Sequence, residues 1–283
     1  MAELVAAGTD GSPTATAAVR WAVDDASRRG LPLRIVHVVD SWPYGVAVFP
    51  PPDWPEFMTR AGEQVLAEAA GVAVERRPEV DVTTVLIEGA PVEALRDQAG
   101  AATELVIGSH GAGGFAGALL GSAVVHVAGH TSGAVVVVRG EEGGPHGEVV
   151  VGIDGSSGSE PALGFAFEQA RLRGCMLRAV YAWQVVAHAF TPESAYDVGE
   201  VRRAQRLVAA GQLAAWQERF PGVDVVQEVP HAHPVSALVD ASARADLLVM
   251  GSHGRGAIRA IILGSVSRGV LHHAHCPVAV VRS

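Results

Sequence analysis

Lysine is absent from this chain: all 21 basic residues among its 283 are arginine. That excludes a P-loop lysine, a kinase strand lysine and the Schiff-base lysine of pyridoxal enzymes. Phosphate, if held here, must be held by backbone N–H groups, hydroxyls, arginine or a metal ion. Cysteine is almost absent too. Cys175 and Cys276 lie in apolar surroundings and read as two reduced structural residues of a cytoplasmic protein. No run approaches the ~20 continuous apolar residues of a membrane span. The first ten residues, Met1 to Asp10, lack a basic n-region and an apolar h-region, so no signal peptide is expected. A basic surface is also missing. The formal charge of −9 argues against a nucleic-acid or anionic-membrane partner.

What is present is written twice. Gly108-Ser109-His110-Gly111, nine residues, then Gly121-Ser122 returns as Gly251-Ser252-His253-Gly254, nine residues, then Gly264-Ser265. Gly8-Thr-Asp10-Gly-Ser12 returns as Gly152-Ile-Asp154-Gly-Ser156, and Pro91-Val-Glu-Ala-Leu95 as Pro234-Val-Ser-Ala-Leu238. A shift of 143 residues, from Gly108 to Gly251, exceeds any solenoid period and has the length of a domain. The chain is therefore read as two modules, 1–140 and 147–283, joined by a polar Gly/Pro-rich linker at about 139–147.

Each module alternates short apolar runs with helical periodicity. Strands are predicted at 4–7, 33–39, 80–87, 105–107 and 134–138, then at 149–153, 176–182, 223–229, 247–250 and 278–281. Several are continuously apolar, as in parallel strands covered on both faces. Helices are predicted at 14–29, 56–75, 92–101 and 118–130, then at 160–173, 195–220, 235–244 and 261–273. Five strands and four crossing helices per module make a doubly wound, Rossmann-like α/β fold. The segment 41–55, with five prolines, follows strand 2 on the edge where such sheets bind ligands; a loop packed on its own module and a lid are equally consistent with it.

In each module the glycine loop runs from the end of strand 4 into a helix. Glycines and a helix N-terminus free backbone N–H groups to hold an anion without a cationic side chain. Gly121 permits close approach, and the Ser122 hydroxyl is placed to donate to a phosphate oxygen. Gly111-Ala-Gly113-Gly-Phe-Ala116 imitates a dinucleotide fingerprint, but it follows strand 4 and lacks the downstream acidic residue. Asp10 and Asp154 end strand 1 of their modules, on the same edge. Each reads as an Asx-turn cap or as a ligand contact to ribose, adenine or Mg²⁺; the repetition beside a glycine loop favours the ligand.

Taken together, Gly8-Thr-Asp10-Gly-Ser12 and the Gly-x2-Gly-x9-Gly-Ser loops closing on an apolar last strand resemble the universal stress protein family. The resemblance spans nearly the whole chain as two tandem modules. It implies an ATP-binding fold with strand order 3-2-1-4-5 whose modules pair within the chain through their last strands, with a homodimer and an unidentified protein partner as further expectations. It puts Asp10 and Asp154 near the nucleoside and the backbone of Val38 and Ala182 against adenine. Gly108, Gly111, Gly121 and Ser122, with Gly251, Gly254, Gly264 and Ser265, would wrap ribose and phosphates. Gly8, Ser109, His110, Ala123, Gly152, Ser252, His253, Arg255, Val266 and Ser267 complete the candidate site, with ATP, accompanied by Mg²⁺, as the cofactor.

The family usually continues Gly-Ser with Val and a second hydroxyl. Val266-Ser267 follows this; Ala123-Val124 does not. Ser267 and Arg255 are therefore expected to give the second site the firmer hold on the terminal phosphate, whereas Ala232, where the first module has Gly89, is expected to crowd it. A regulatory or sensing role follows, without fast catalysis. An ATP-consuming adenylation enzyme and a flavin-binding electron-transfer module are the alternatives. The first usually needs a lysine- or arginine-bearing loop, and this chain has no lysine and only Arg255 and Arg259 near one glycine loop; the second does not match the glycine spacing. His272-His-Ala-His275-Cys276 is read as a helix end rather than a metal cluster, because adjacent helical residues diverge.

Overall fold

A computed structural model of the chain describes residues 3–40, 53–111, 120–140, 144–184, 197–254 and 263–282. It divides into two compact units, Met1–Gly143 and Gly144–Ser283. The first unit runs β1 (Val5–Gly8), α1 (Pro13–Arg29), β2 (Leu33–Val39), α2 (Trp54–Arg76), β3 (Val82–Glu88), α3 (Pro91–Ala101), β4 (Glu104–Gly108), α4 (Ser122–His130) and β5 (Gly133–Val138). All pairings are parallel, in the order β3-β2-β1-β4-β5. The second runs β6 (Glu148–Gly152), α5 (Glu160–Arg173), β7 (Met176–Val180), α6 (Val198–Arg219), β8 (Val225–Glu228), α7 (Pro234–Ser242), β9 (Leu247–Gly251), α8 (Ser265–His273) and β10 (Val278–Arg282). Its order, β8-β7-β6-β9-β10, repeats the first. The expected 3-2-1-4-5 arrangement is the one found in both.

Burial explains the continuous apolar runs. Val5, Ala6 and Ala7 are all fully buried although neighbours on a strand face opposite ways, so helices cover both faces. α1 packs with α2, and α3 with α4. α1 starts where Ser12 Oγ accepts the Ala15 N–H at 3.3 Å and Pro13 takes the first helical position; it stops at Gly30, whose φ of 66° is left-handed.

Several element ends differ from the sequence reading. Residue 80 belongs to a turn, its N–H bonded to the Arg77 carbonyl at 3.1 Å, so β3 begins at Val82. α4 and α8 begin at Ser122 and Ser265 rather than at 118 and 261, because Gly121 and Gly264 take extended backbone angles and act as the N-caps. β7 ends at Val180; past it, backbone bonds such as Tyr181 N–H to Glu228 O at 2.9 Å and an isolated bridge, Trp183 to His231, carry on the pairing. Among the described residues no helix is long and apolar enough to cross a membrane.

α1 and the end of α2, which pack together, are tied by charge. Asp24 of α1 accepts from Arg76 at 2.7 Å and from Arg77 at 2.6 Å. Burial pushes its carboxyl pKa up, but the two guanidiniums outweigh that and hold it below the ordinary 3.8. A depressed carboxylate contributes stability above its unfolded pKa and loses it as pH falls through the folded one. Asp24→Asn should therefore cost roughly 1–2 kcal/mol at pH 7, less than a buried pair because both arginines keep solvent contact. Denaturant titrations should show the gap from the parent closing below pH 3.8, the ordinary value it starts from. A pH-independent gap would assign the effect to packing instead.

Candidate functional site

β1 lies between β2 and β4, so the chain leaves it in one direction and returns on the other side. A crevice opens at the carboxyl end of such a pair. Asp10 and the glycine loop both enter it. Asp10 Oδ1 accepts the Ser12 N–H at 3.0 Å, which aims the carboxylate back over the strand end. Its Oδ2 lies so close to Gly111 that a Cβ placed on Gly111 would sit 2.5 Å away. Asp154 repeats this against Gly254, at 2.7 Å. In each unit the carboxylate and the start of the glycine loop meet at the strand ends. Asp154 Oδ1 accepts from Ser156 N at 3.0 Å and from the hydroxyls of Ser156 and Ser159 at 2.6 Å each. Gln212 of α6 fixes the same turn, accepting from Gly155 N at 3.1 Å and donating to Ser156 O at 3.0 Å.

Gly108 is forced to be glycine by the first turn of α1. A Cβ there would lie 2.8 Å from Ala15 N, Thr14 C and Thr14 Oγ1 alike. The loop then closes on itself, with the Gly121 N–H bonded to Ser109 O at 2.8 Å and Gly264 N–H to Ser252 O at 2.9 Å. Neither Gly121 nor Gly264 caps its helix with a side chain. The first-turn amides of Ser122, Ala123 and Val124, and of Ser265, Val266 and Ser267, thus have no acceptor within their helices. Ser122 and Ser265 stand exposed at these N-termini, and among the described residues their hydroxyls hold no hydrogen bond. This is a donor set for an anion.

The edge of β2 supplies the opposite end. The Thr9 N–H reaches Val36 O at 2.9 Å, and the Ile153 N–H reaches Val180 O at 3.0 Å. Two residues on, Val38 and Ala182 would next pair with Thr9 and Ile153, but β1 and β6 have already turned away. In the first unit His37 Nδ1 takes the Thr9 carbonyl at 2.8 Å instead. The peptide N–H and C=O of Val38 and Ala182 therefore face the crevice as an adjacent donor and acceptor.

Other expected residues have different duties. Gly8 and Gly152 make room for leucines: a Cβ on either would meet Leu95 at 2.8 Å or Leu238 at 3.0 Å. That explains why the Pro-Val-x-Ala-Leu motif repeats along with them. Ser109 and Ser252 are buried and tied to the imidazoles that follow them, at 3.0 Å to His110 Nδ1 and His253 Nδ1. Ser267 departs most from its expected role. Its only hydroxyl proton is directed inward, to Gly251 O at 2.9 Å and Ser252 O at 3.2 Å, so it braces the loop rather than reaching a phosphate. Gly89 takes φ 143°, a region that favours glycine, whereas Ala232 does not share a positive φ, so the two turns differ in backbone. Arg255 and the segment 41–52 lie outside the described residues. In the C-terminal histidine run, His273 and His275 are exposed, whereas Cys276 is buried and its thiol is pushed up to about 12 by burial. Among the described residues no group of three or more His, Cys, Asp or Glu side chains is placed to hold a metal ion.

Sequence reasoning missed Thr14, whose Oγ1 donates to the His110 carbonyl. It also missed Trp183, buried in a stack on His231 at 4.5 Å between ring centroids. The duplication held a signal for the first, since Thr14 aligns with Gly158. For Trp183 no comparable pattern existed.

A doubly wound α/β unit with a glycine loop at its switch point, built twice, defines the class of protein. Residues 1–139 and 146–282 each match the Universal stress protein family, and the chain belongs to that family. It is 38% identical to universal stress protein Rv2005c of Mycobacterium tuberculosis, over 98% of this chain and 96% of that one. It is 34% identical to a universal stress protein of Mycolicibacterium smegmatis, over 97% and 95%. A crystal structure of a universal stress protein from Archaeoglobus fulgidus superposes with a TM-score of 0.72 at 20% identity, covering 99% of this chain and 96% of that one.

Proposed function

We propose that each unit binds ATP as a regulatory or sensing ligand in a cytoplasmic stress protein, two nucleotides per chain. The observation that carries this reading is the meeting of Asp10 with Gly111, and of Asp154 with Gly254, beneath an uncapped helix N-terminus. Phosphates fit the first-turn amides and the Ser122 and Ser265 hydroxyls. The carboxylate accepts from ribose hydroxyls, or holds Mg²⁺ against the phosphates. The paired N–H and C=O of Val38 or Ala182 complement a base edge that offers an acceptor nitrogen beside an amino donor, as adenine does. Isothermal titration with ATP, ADP, AMP, cAMP, FMN and NAD, with and without EDTA, tests it. Two equivalents of ATP bound is the expected result; preference for FMN or NAD would overturn the reading.

Turnover should be negligible. The chain has no lysine to neutralise a transferring phosphoryl group. Purified protein should hydrolyse ATP far below the ~10 s⁻¹ typical of enzymes. A rate of that size, lost on Asp10→Ala, would put an ATP-consuming enzyme in first place.

A further inference from the structure

The two units hold their glycine loops with hydroxyls from different helices. In the first, Thr14 of α1, 7% exposed, donates through Oγ1 to His110 O at 2.5 Å. In the second, Ser267 of α8, 4% exposed, donates to Gly251 O and Ser252 O. The positions are exchanged between the copies. Val124 stands where Ser267 stands, and Gly158 stands where Thr14 stands. The packing agrees with that alignment: a Cβ on Gly108 would meet Thr14, and a Cβ on Gly251 would meet Gly158 O at 2.9 Å. Val124 has methyl groups only and Gly158 has no side chain, so each unit keeps one hydroxyl and lacks the other.

We propose that Thr14 and Ser267 are equivalent positioning residues, each latching the glycine loop so that its amides face the nucleotide phosphates, and that Thr14 is what lets the first unit carry Val124. The physical reason lies in the trans peptide, whose C=O and N–H point in opposite directions. A carbonyl held inward by a buried hydroxyl turns the next N–H outward. Thr14 on His110 O turns the Gly111 amide the opposite way; Ser267 braces the peptides after Gly251 and Ser252, the second of which also accepts from Gly264 N–H at 2.9 Å. The hydroxyl thus acts at His110 in the first unit and one to two residues earlier in the second. The first site accordingly does not lack a latch, and the inequality expected from Val124 alone disappears.

This inference rests on the nucleotide reading for its affinity test but has a ligand-free readout as well. In a Gly264→Glu background, which leaves only the first site, ATP titration should show Thr14→Ser near parental. Thr14→Val should bind about five- to tenfold more weakly, the worth of one hydrogen bond. Adding Val124→Ser to Thr14→Val should restore most of the loss, which a merely structural role for Thr14 would not predict. Amide hydrogen exchange at Gly111 in the nucleotide-free protein should accelerate in Thr14→Val and slow again in the double variant. Unchanged affinity and exchange in Thr14→Val, or no rescue by Val124→Ser at parental thermal stability, would overturn the latch. If the parent binds no ATP, the nucleotide reading fails, and the exchange comparison alone decides the latch.

Discussion

Replacing Gly121 and Gly264 together with glutamate should abolish ATP binding while leaving the fold intact. Both halves of that expectation come from the geometry. Gly121 has φ −69° and ψ 144°, angles open to any residue. A Cβ there would lie 3.5 Å from His110 Cα and Ser109 O, an ordinary contact. Gly264 is slightly tighter, with Ser252 O at 3.3 Å. The added carboxylate, in contrast, stands over first-turn amides that are proposed to hold phosphate. It competes for them intramolecularly and repels the ligand. Losing two hydrogen bonds to a charged group, at about 1.5–3 kcal/mol each, amounts to at least a hundredfold in affinity. Each single variant should halve the stoichiometry, from two ATP per chain to one. Thermal melts of all three variants should stay near the parent. ATP bound as tightly by the double variant as by the parent would remove the phosphate assignment.

The second large effect is expected at Gly108, where the opposite logic applies. Alanine at this position drives a methyl group to 2.8 Å from three atoms of the first turn of α1, two of them backbone. A flexible side chain could swing aside; the start of a helix anchored by Pro13 and capped by Ser12 cannot without moving α1 on the sheet. Overpacking of this kind costs about 1–3 kcal/mol. For a unit of this size it corresponds to a melting-temperature loss of roughly 4–10 °C. The same substitution displaces Thr14 from His110 O, so the first site should weaken as well. Gly251→Ala should behave alike, because its Cβ meets Gly158 O at 2.9 Å. Gly121→Ala is the control and should be near neutral. Calorimetric melts of Gly108→Ala and Gly121→Ala that coincide would show that the close approach of loop and helix is not a constraint.

These contrasting glycines show why a motif is only partly legible in sequence. Gly-x2-Gly-x9-Gly-Ser marks the loop, but its glycines are glycine for different reasons. Gly108 yields to a helix, Gly111 yields to the carboxylate that follows β1, and Gly121 would meet only ordinary contacts. The partners of the first two lie far away along the chain. Thr14 and His110 are separated by 96 residues and meet because β1 and β4 are neighbours in the sheet. Local patterning cannot carry that information.

Much else was carried locally. Continuous apolar runs identified the buried parallel strands, and Ser12-Pro13 and Gly30 marked both ends of α1, because these signals depend on backbone angles and on burial of both strand faces. Element ends were less legible where a hydrogen bond rather than a side-chain type set them, as at Val80, whose N–H is taken by Arg77 O. The absence of lysine restricted the phosphate chemistry before any fold was known. The repeat of whole motifs determined that there are two units of one kind. Only the tertiary structure decided which way each hydroxyl points. Ser267 resembles a phosphate ligand in sequence, yet it faces the interior because α8 presents that side of its first turn to the end of β9. Ser265, two residues earlier on the same turn, is exposed. A helix rotates by about 100° per residue, so two hydroxyls two residues apart lie on opposite sides, one turned to the loop and one to solvent.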